Sequence, residues 1–359
     1  MKNKKNILIC PLDWGLGHAT RMVPVIEMLE NKGANVIIAA DKRPLLFLQE
    51  RFPEMEFVKF PGYEASYPEK GSMALSMLKS VPGMLKQAKH SNALLQKLIV
   101  EKNIDAIISD NRYEMYSAKV PSIFITHQLN IQTSGWQKLA DPVIKKTIDN
   151  YIRKYDELWI PDFGGEPNLS GKLSHIGKMP TVNTHFIGTL SRFSNLKFKP
   201  STEQIDLLIL ISGPEPQRSL LEELLTKQAL QTNLKTVVLQ GKPEDSKVIE
   251  RENIKIISHL PDAEFATLIQ SAKMVVSRPG YSTLMDLSVF GKKAIFIPTP
   301  GQTEQEYLSE RLLKQGVAYS QKQSEFTLEA ALREAETYSG LPQINNDETL
   351  EKQIDLLLG

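Results

Sequence analysis

The sequence predicts an α/β protein of two doubly wound domains, each a parallel sheet with helices on both faces. Short, continuous apolar runs recur along the chain, separated by segments of helical period, the pattern of buried parallel strands joined by crossover helices. That alternation stops in a Ser-, Asn-, Lys- and Pro-bearing stretch from Thr189 to Thr202, then begins afresh at Ile205. Polar and glycine-bearing clusters fall at the ends of the apolar runs, where open parallel sheets hold ligands. A chain of 359 residues accommodates two domains of common size. The expected boundaries are 1–190 for the first domain, 191–203 for a linker and 204–359 for the second.

Composition excludes several classes. Lys and Arg number 43 against 42 Asp and Glu, so no global field draws the chain to nucleic acid. Cys10 is the single cysteine, which rules out an intrachain disulfide or a paired-thiolate metal site and fits a reducing cytoplasm. The start, MKNKKNILICPLDWG, has too short an apolar run for a signal core or a membrane span, and no later run approaches that length. A soluble, cytoplasmic protein is expected, with contact at the inner face of a membrane left open.

Asn6 to Pro11 reads as the first strand. Gly15 and Gly17 make a tight loop into a helix from about His18 to Asn31, with Met22, Val25, Ile26 and Leu29 on one face. Pro24 is taken to lie near the start of that helix, where proline is tolerated. The loop lacks the third glycine of a dinucleotide fingerprint and the Lys-Ser/Thr of a P-loop, so neither is predicted. Asn35 to Ala40 and Glu56 to Phe60 are the next strands, with Asp41 placed to cap a helix. Tyr63 and Tyr67 lie in a turn-rich loop, as pocket-shaping or simply exposed aromatics. A helix over Ser72 to Glu101, with a break expected at Pro82-Gly83, carries Met73, Met77, Leu78 and Met84, read as core rather than as a groove. Asp105 to Ser109 ends in Asp110-Asn111-Arg112, and Ser122 to Thr126 ends in His127. Asp110, Arg112 and His127 are secondary site candidates, a structural bond being an equal alternative for His127. Glu157 to Pro161 and His185 to Gly188 complete the first set, with an Asp162–Glu166 loop between them.

The second domain opens with Ile205 to Ile211 and the loop Ser212-Gly213-Pro214-Glu215-Pro216-Gln217-Arg218. Thr236 to Gln240, Ile254 to Ser258 (followed by His259-Leu260), Lys273 to Ser277 and Ala294 to Ile297 continue the alternation. Helices are expected from Ser282 to Phe290, Thr327 to Tyr338 and Thr349 to Leu358. The densest signal lies between Val275 and Gln305. A helix beginning just past a strand end presents N–H groups and a dipole that favour an anion. Gly280 allows close backbone approach, Ser282 and Thr283 can cap or donate hydroxyls, and Arg278 supplies a forked donor. Asp286, four residues after Ser282, can accept from ribose hydroxyls, and Gln302, Glu304 and Gln305 open the next helix. The competing reading, an Arg278–Asp286 surface ion pair with Ser282 as an ordinary cap, explains single residues but not the ordered set.

That set resembles the donor-nucleotide motif of GT-B glycosyltransferases, the MurG-type (glycosyltransferase family 28) and UDP-glycosyltransferase families. Arg278, Gly280, Ser282, Thr283, Asp286, Pro298, Glu304 and Gln305 match in order, with Asp286 where Glu is more usual. The GxGHxxR loop with Pro24 resembles the amino-terminal loop of MurG-type enzymes. The resemblance implies two Rossmann-like domains of GT-B type, an active site between them and a terminal helix that returns to the first. It implies an inverting, metal-independent transfer, without cofactor, from a nucleotide sugar, expected to be UDP-linked, to an unknown acceptor hydroxyl. Gly15, Gly17, Ser212, Gly213, Arg218, His259 and Leu260 join the donor site on the same basis, with Pro214 and Pro216 replacing the usual glycines. Asp110, Arg112 and His127 become acceptor candidates. His18 is the expected general base, neutral at a helix amino terminus, and Asp13 is next in line. The alternatives are a UDP-sugar epimerase or hydrolase of the same fold, using Glu215 and Glu304, and a non-catalytic sugar-nucleotide-binding protein.

Overall fold

A computed structural model describes residues 4–62, 73–131, 141–344 and 348–359, with backbone alone for 73–82, 84 and 85. The readings made for Tyr63, Tyr67, Met73, Met77, Leu78 and Met84 fall outside the described side chains. The chain divides into two compact units: Met1–Ser191 with Asn346–Gly359, and Arg192–Asn345.

Unit 1 runs β1 (Asn6–Pro11), α1 (Leu16–Asn31), β2 (Asn35–Ala40), α2 (Lys42–Arg51), β3 (Glu56–Lys59), α3 (Met73–Glu101), β4 (Ala106–Asp110), β5 (Ser122–Ile125), α4 (Asp141–Ile152), β6 (Glu157–Ile160) and β7 (Asn183–Phe186). Its sheet has the order β3-β2-β1-β4-β5-β6-β7, every pairing parallel. Ile7, Leu8, Ile9 and Ile107, Ile108 are fully buried, because helices cover both faces of the central strands. Asp41 caps α2, its carboxylate accepting from the Lys42 amide at 2.9 Å.

Unit 2 runs β8 (Ile205–Leu210), α5 (Gln217–Ala229), β9 (Thr236–Leu239), β10 (Val248–Arg251), β11 (Ile254–Ile257), α6 (Asp262–Ser271), β12 (Ala272–Ser277), α7 (Tyr281–Val289), β13 (Ala294–Phe296), α8 (Thr303–Lys314), β14 (Tyr319–Ser320) and α9 (Leu328–Ala335). The sheet order is β10-β11-β9-β8-β12-β13-β14. The last helix, α10 (Thr349–Leu358), lies in unit 1. There Lys32 reaches Glu351 at 2.9 Å and Asp355 at 2.6 Å, and Lys5 donates to the Leu357 carbonyl at 3.0 Å. Both carboxylates are more than half exposed, so these ion pairs contribute little. The buried Leu350 and Ile354 anchor the helix.

Several expectations change. Pro24 lies in the middle of α1, not near its start. Proline inside a helix costs about 3 kcal/mol. Met22, Val23, Val25, Ile26 and Leu29 are all fully buried, each contributing about 1.5–3 kcal/mol, so packing outweighs the break. The long helix α3 passes through Pro82-Gly83 without interruption. Unit 2 is not wholly parallel: β10 pairs antiparallel with β11 at the sheet edge. All four β10 residues are exposed, so no apolar run marks the strand. The stretch read as a linker contains Phe193, 2% exposed, whose ring packs edge-on against Phe265 and Phe290 of unit 2.

Each sheet reverses its winding at one place. In unit 1 the reversal lies between β1 and β4, where Pro11 pairs with Asp110. In unit 2 it lies between β8 and β12, where Leu210 pairs with Ser277. The chains leaving adjacent strands diverge to opposite faces there, and the gap between them is where such sheets take ligands.

Asp13 staples the strand ends of unit 1. Its carboxylate accepts from the Asp41 amide at 3.3 Å and the Gly62 amide at 2.7 Å. A Cβ on Gly62 would stand 2.4 Å from Asp13 Oδ2. Gly62→Ala should therefore open the staple and destabilise the chain by about 1–3 kcal/mol in denaturant unfolding. An unchanged midpoint would mean that the loop simply shifts.

Candidate functional site

At the unit 1 reversal, α1 begins at a Gly15 N-cap with φ 85°, a conformation glycine adopts without strain. His18 follows in the first turn, and Arg21, three residues on, shares its face. His18 Nδ1 lies 3.1 Å from Asp110 Oδ2, at the end of β4. Arg21 holds the same carboxylate with both prongs: Nε donates to Oδ2 at 2.7 Å and Nη2 to Oδ1. Nη2 also lies 2.9 Å from His18 Nδ1, and Nη1 donates to His127 Nδ1 at 3.1 Å. Asp110 is wholly buried, while 17% of the His18 side chain remains exposed. The Nδ1 edge of the ring therefore faces the network while part of the side chain remains open to solvent.

The electrostatics follow from this packing. Burial would raise the Asp110 carboxyl, but Arg21 and His18 outweigh it and hold the group below the usual carboxylate range. Burial, then the Arg21 cation, lower the His18 imidazole below its ordinary value, with Asp110 opposing them. A neutral imidazole beside an ionised carboxylate results. With Nδ1–H donated to Asp110, Nε2 is left able to take a proton.

The other unit 1 candidates have different surroundings. Both Asp13 oxygens serve backbone amides, and burial raises its carboxyl despite Arg112. The Arg112 fork is turned inward, donating to Glu114 at 2.9 Å, to the Phe60 carbonyl at 3.1 Å and to the Pro61 carbonyl at 3.2 Å. His127 is 3% exposed and belongs to the Arg21 network. Asp110 and His127 are thus brought together with His18, whereas Arg112 braces the loop beside β3.

In unit 2, Gly280 is the N-cap of α7, with no side-chain capping bond. Ser282 and Thr283 therefore stand in the first turn, past the cap position, which corrects the capping half of their reading and leaves the other, donation of hydroxyls, in place. Arg278 is 1% exposed. Its Nη1 donates to the Ile297 and Pro298 carbonyls at 2.9 and 3.0 Å, and its Nη2 to the Gln217 carbonyl and Gln323 Oε1 at 3.2 and 2.5 Å. The fork that the sequence suggested for a phosphate joins β12 to the ends of β13 and the start of α5. Burial pulls its pKa down to about 10. Arg218 is likewise committed, to Glu215 at 2.9 Å and Glu222 at 2.7 Å.

Asp286 does not pair with Arg278. Its Oδ2 lies 3.5 Å from Arg192 Nε, and Arg192 Nη1 donates to Asp262 at 3.0 Å. The Arg192 guanidinium lies over Phe193 and Phe265, 4.9 and 5.0 Å from their centroids. Arg192 sits inside the stretch read as linker, so no sequence signal marked it. Gln305 Oε1 accepts from the Thr299 amide at 2.8 Å, tying the start of α8 to the strand end before it. The Thr299 hydroxyl is buried, has no hydrogen-bond partner among the described residues, and lies 4.0 Å from where a Gly213 Cβ would stand. Gly213 itself has φ 110° and bends the chain after β8. Ser212 is exposed beside it, His259 and Leu260 are half-buried between β11 and α6, and Glu304 is half-buried in the first turn of α8.

Residues 211–355 match the Glycosyltransferase family 28 C-terminal domain. The UDP-N-acetylglucosamine--N-acetylmuramyl-(pentapeptide) pyrophosphoryl-undecaprenol N-acetylglucosamine transferase of Sulfurihydrogenibium sp. (strain YO3AOP1) is 27% identical over 126 residues. That alignment covers 35% of this chain and 35% of the relative. Among solved structures, Arabidopsis thaliana UGT89C1 aligns with a TM-score of 0.63 at 13% identity, covering 99% of both chains. Acinetobacter baumannii MurG aligns with a TM-score of 0.57 at 14% identity, again over 99% of both. The two seven-stranded sheets thus make a GT-B fold.

Proposed function

We propose, from the match of residues 211–355 to the glycosyltransferase family 28 C-terminal domain, that the chain transfers a sugar from a UDP-linked donor to an acceptor hydroxyl with inversion. The observation that carries this reading is the 3.1 Å contact between His18 and Asp110 at the sheet reversal of unit 1. Nothing in a plain structural histidine requires an ionised, fully buried carboxylate behind a side chain that is still 17% exposed.

In this reading unit 1 supplies the acceptor site and the base. Asp110 orients the ring, and His18 Nε2 takes the hydroxyl proton as the oxygen attacks the anomeric carbon. The new carbon–oxygen bond forms as the bond to the diphosphate breaks, and UDP leaves with the electron pair. Unit 2 supplies the donor site. The first turn of α7 and the Gly213 loop, flanking the β8–β12 reversal, stabilise the charge growing on the diphosphate. Asp286 takes the ribose hydroxyls, and Glu304 and Gln305 take the sugar. The structure of Arabidopsis thaliana UGT89C1 with UDP-L-rhamnose is a neighbour of the same fold that holds a UDP-sugar. Of the two carboxylates that the epimerase alternative invokes, Glu215 and Glu304, the first is bonded to Arg218 at 2.9 Å, which favours transfer over that reading.

UDP release from a panel of UDP-sugars, with and without acceptor alcohols, tests the function. Release that depends on acceptor supports it. A protein that neither releases UDP from any donor nor melts higher with UDP is not this enzyme. Asp286→Ala is expected to weaken UDP by about 1–3 kcal/mol in calorimetric titration. Folding should change less, because Asp262 still balances Arg192. Equal UDP affinity in variant and parent removes Asp286 from the site.

A further inference from the structure

Arg21 takes no part in the reaction proposed above, yet its guanidinium is the hub of the network behind His18. It is 2% exposed, and all three of its nitrogens are engaged: Nε and Nη2 with Asp110, Nη1 with His127, and Nη2 also with His18. Two demands meet at His18 Nδ1. Ionised Asp110, 3.1 Å away, can only accept, so it favours a proton on Nδ1. Arg21, 2.9 Å away, can only donate, so it favours a bare Nδ1 and a proton on Nε2. Only the first arrangement leaves Nε2 free to act as a base.

We infer that Arg21 is a positioning residue for His18: it cancels the Asp110 carboxylate, so that the imidazole waits neutral and does not retain the proton it takes. The charge count supports this. An unopposed buried carboxylate would raise the proton affinity of the imidazole and favour its charged form. Arg21, bonded to both carboxylate oxygens, removes that bias while leaving the carboxylate in place to steer the ring. The charged groups that act on the ring are Arg21 from α1 and Asp110 from β4, and His127 from the end of β5 faces it across Arg21. His127 accepts from Arg21, which fixes the fork from the far side.

This inference deepens the reading of His18 as the base, but it is tested on the imidazole itself, without donor or acceptor. The full chain carrying ¹⁵N-histidine is titrated by long-range proton–nitrogen NMR, which reports both the midpoint and the tautomer of His18. Arg21→Gln should raise the midpoint by about one pH unit or more, a tenfold gain in proton affinity, and shift the neutral ring toward the Nδ1–H form. Arg21→Lys keeps the cation and should stay near the parent. Asp110→Asn should move the midpoint the other way. If Arg21→Gln does not fold because it strands the buried carboxylate, Asp110→Asn is compared with the Arg21→Gln, Asp110→Asn double variant. Removing the cation from that neutralised background should again raise the midpoint. An unchanged midpoint and tautomer on loss of Arg21, in either background, overturns the inference. So does an Arg21→Lys protein that behaves like Arg21→Gln, which would make the role one of shape rather than charge. Should His18→Ala keep full turnover while these shifts appear, the base assignment fails and the Arg21 inference stands.

Discussion

His18→Ala is expected to lower turnover by about two to four orders of magnitude, the usual contribution of a positioned base. A hydroxyl is a weak nucleophile at neutral pH, and no other described side chain of the Asp110 network stands as open as His18. UDP binding should hold, because the proposed donor contacts lie in unit 2. His18→Gln keeps a hydrogen bond without basicity and should be nearly as slow. The pH dependence has a definite sign. The base works when neutral, and burial with Arg21 depresses its pKa below the ordinary 6.5. Activity should therefore persist as pH falls through 6.5 and fail only as it passes the depressed value. An acid limb of kcat/KM at or above 6.5, or near-parental rates in both variants, places the base elsewhere.

Arg278→Ala should cost about 3–5 kcal/mol of stability. The substitution strands the Ile297, Pro298 and Gln217 carbonyls in a buried site, and each lost partner costs about 1–3 kcal/mol. Arg278→Lys should recover only part of this, because an ammonium cannot reproduce the planar fork. UDP and uridine affinity should then fall together, by distortion of the turn before α7 and not by loss of a phosphate contact. Denaturant unfolding and paired calorimetric titrations check both halves. A variant of parental stability that loses UDP but keeps uridine would return Arg278 to the phosphate.

The sequence made the scaffold readable because burial on both faces leaves continuous apolar runs. Asn6–Pro11 and Asn35–Ala40 emerge with the bounds read from the residues, as does Thr349–Leu358. The exposed edge strand Val248–Arg251 has no such run and was missed. Pro24 was misplaced because local propensity cannot weigh five buried neighbours against one lost amide.

For the candidate site, the sequence by itself determined which loops carry polar groups, since strand ends and helix starts follow from periodicity and glycine. It drew attention to His18, Asp110 and Asp286 through residue type and place in the chain. Only the tertiary structure decided what each polar group faces. Asp110 lies 92 residues from His18, and the pairing of β4 beside β1 alone brings them to 3.1 Å. The same pairing gives Arg21 both carboxylate oxygens, which no spacing within the GxGHxxR loop encodes. Arg278, Arg218 and Arg112 read as ligands because an arginine at a loop is open in sequence. In the fold their forks are taken by carbonyls and carboxylates from distant strands and neighbouring turns. A guanidinium has five donors to satisfy, and a buried one must spend them on whatever acceptors the packing brings near. That choice is made by contacts remote in the chain, and so it is absent from the sequence pattern.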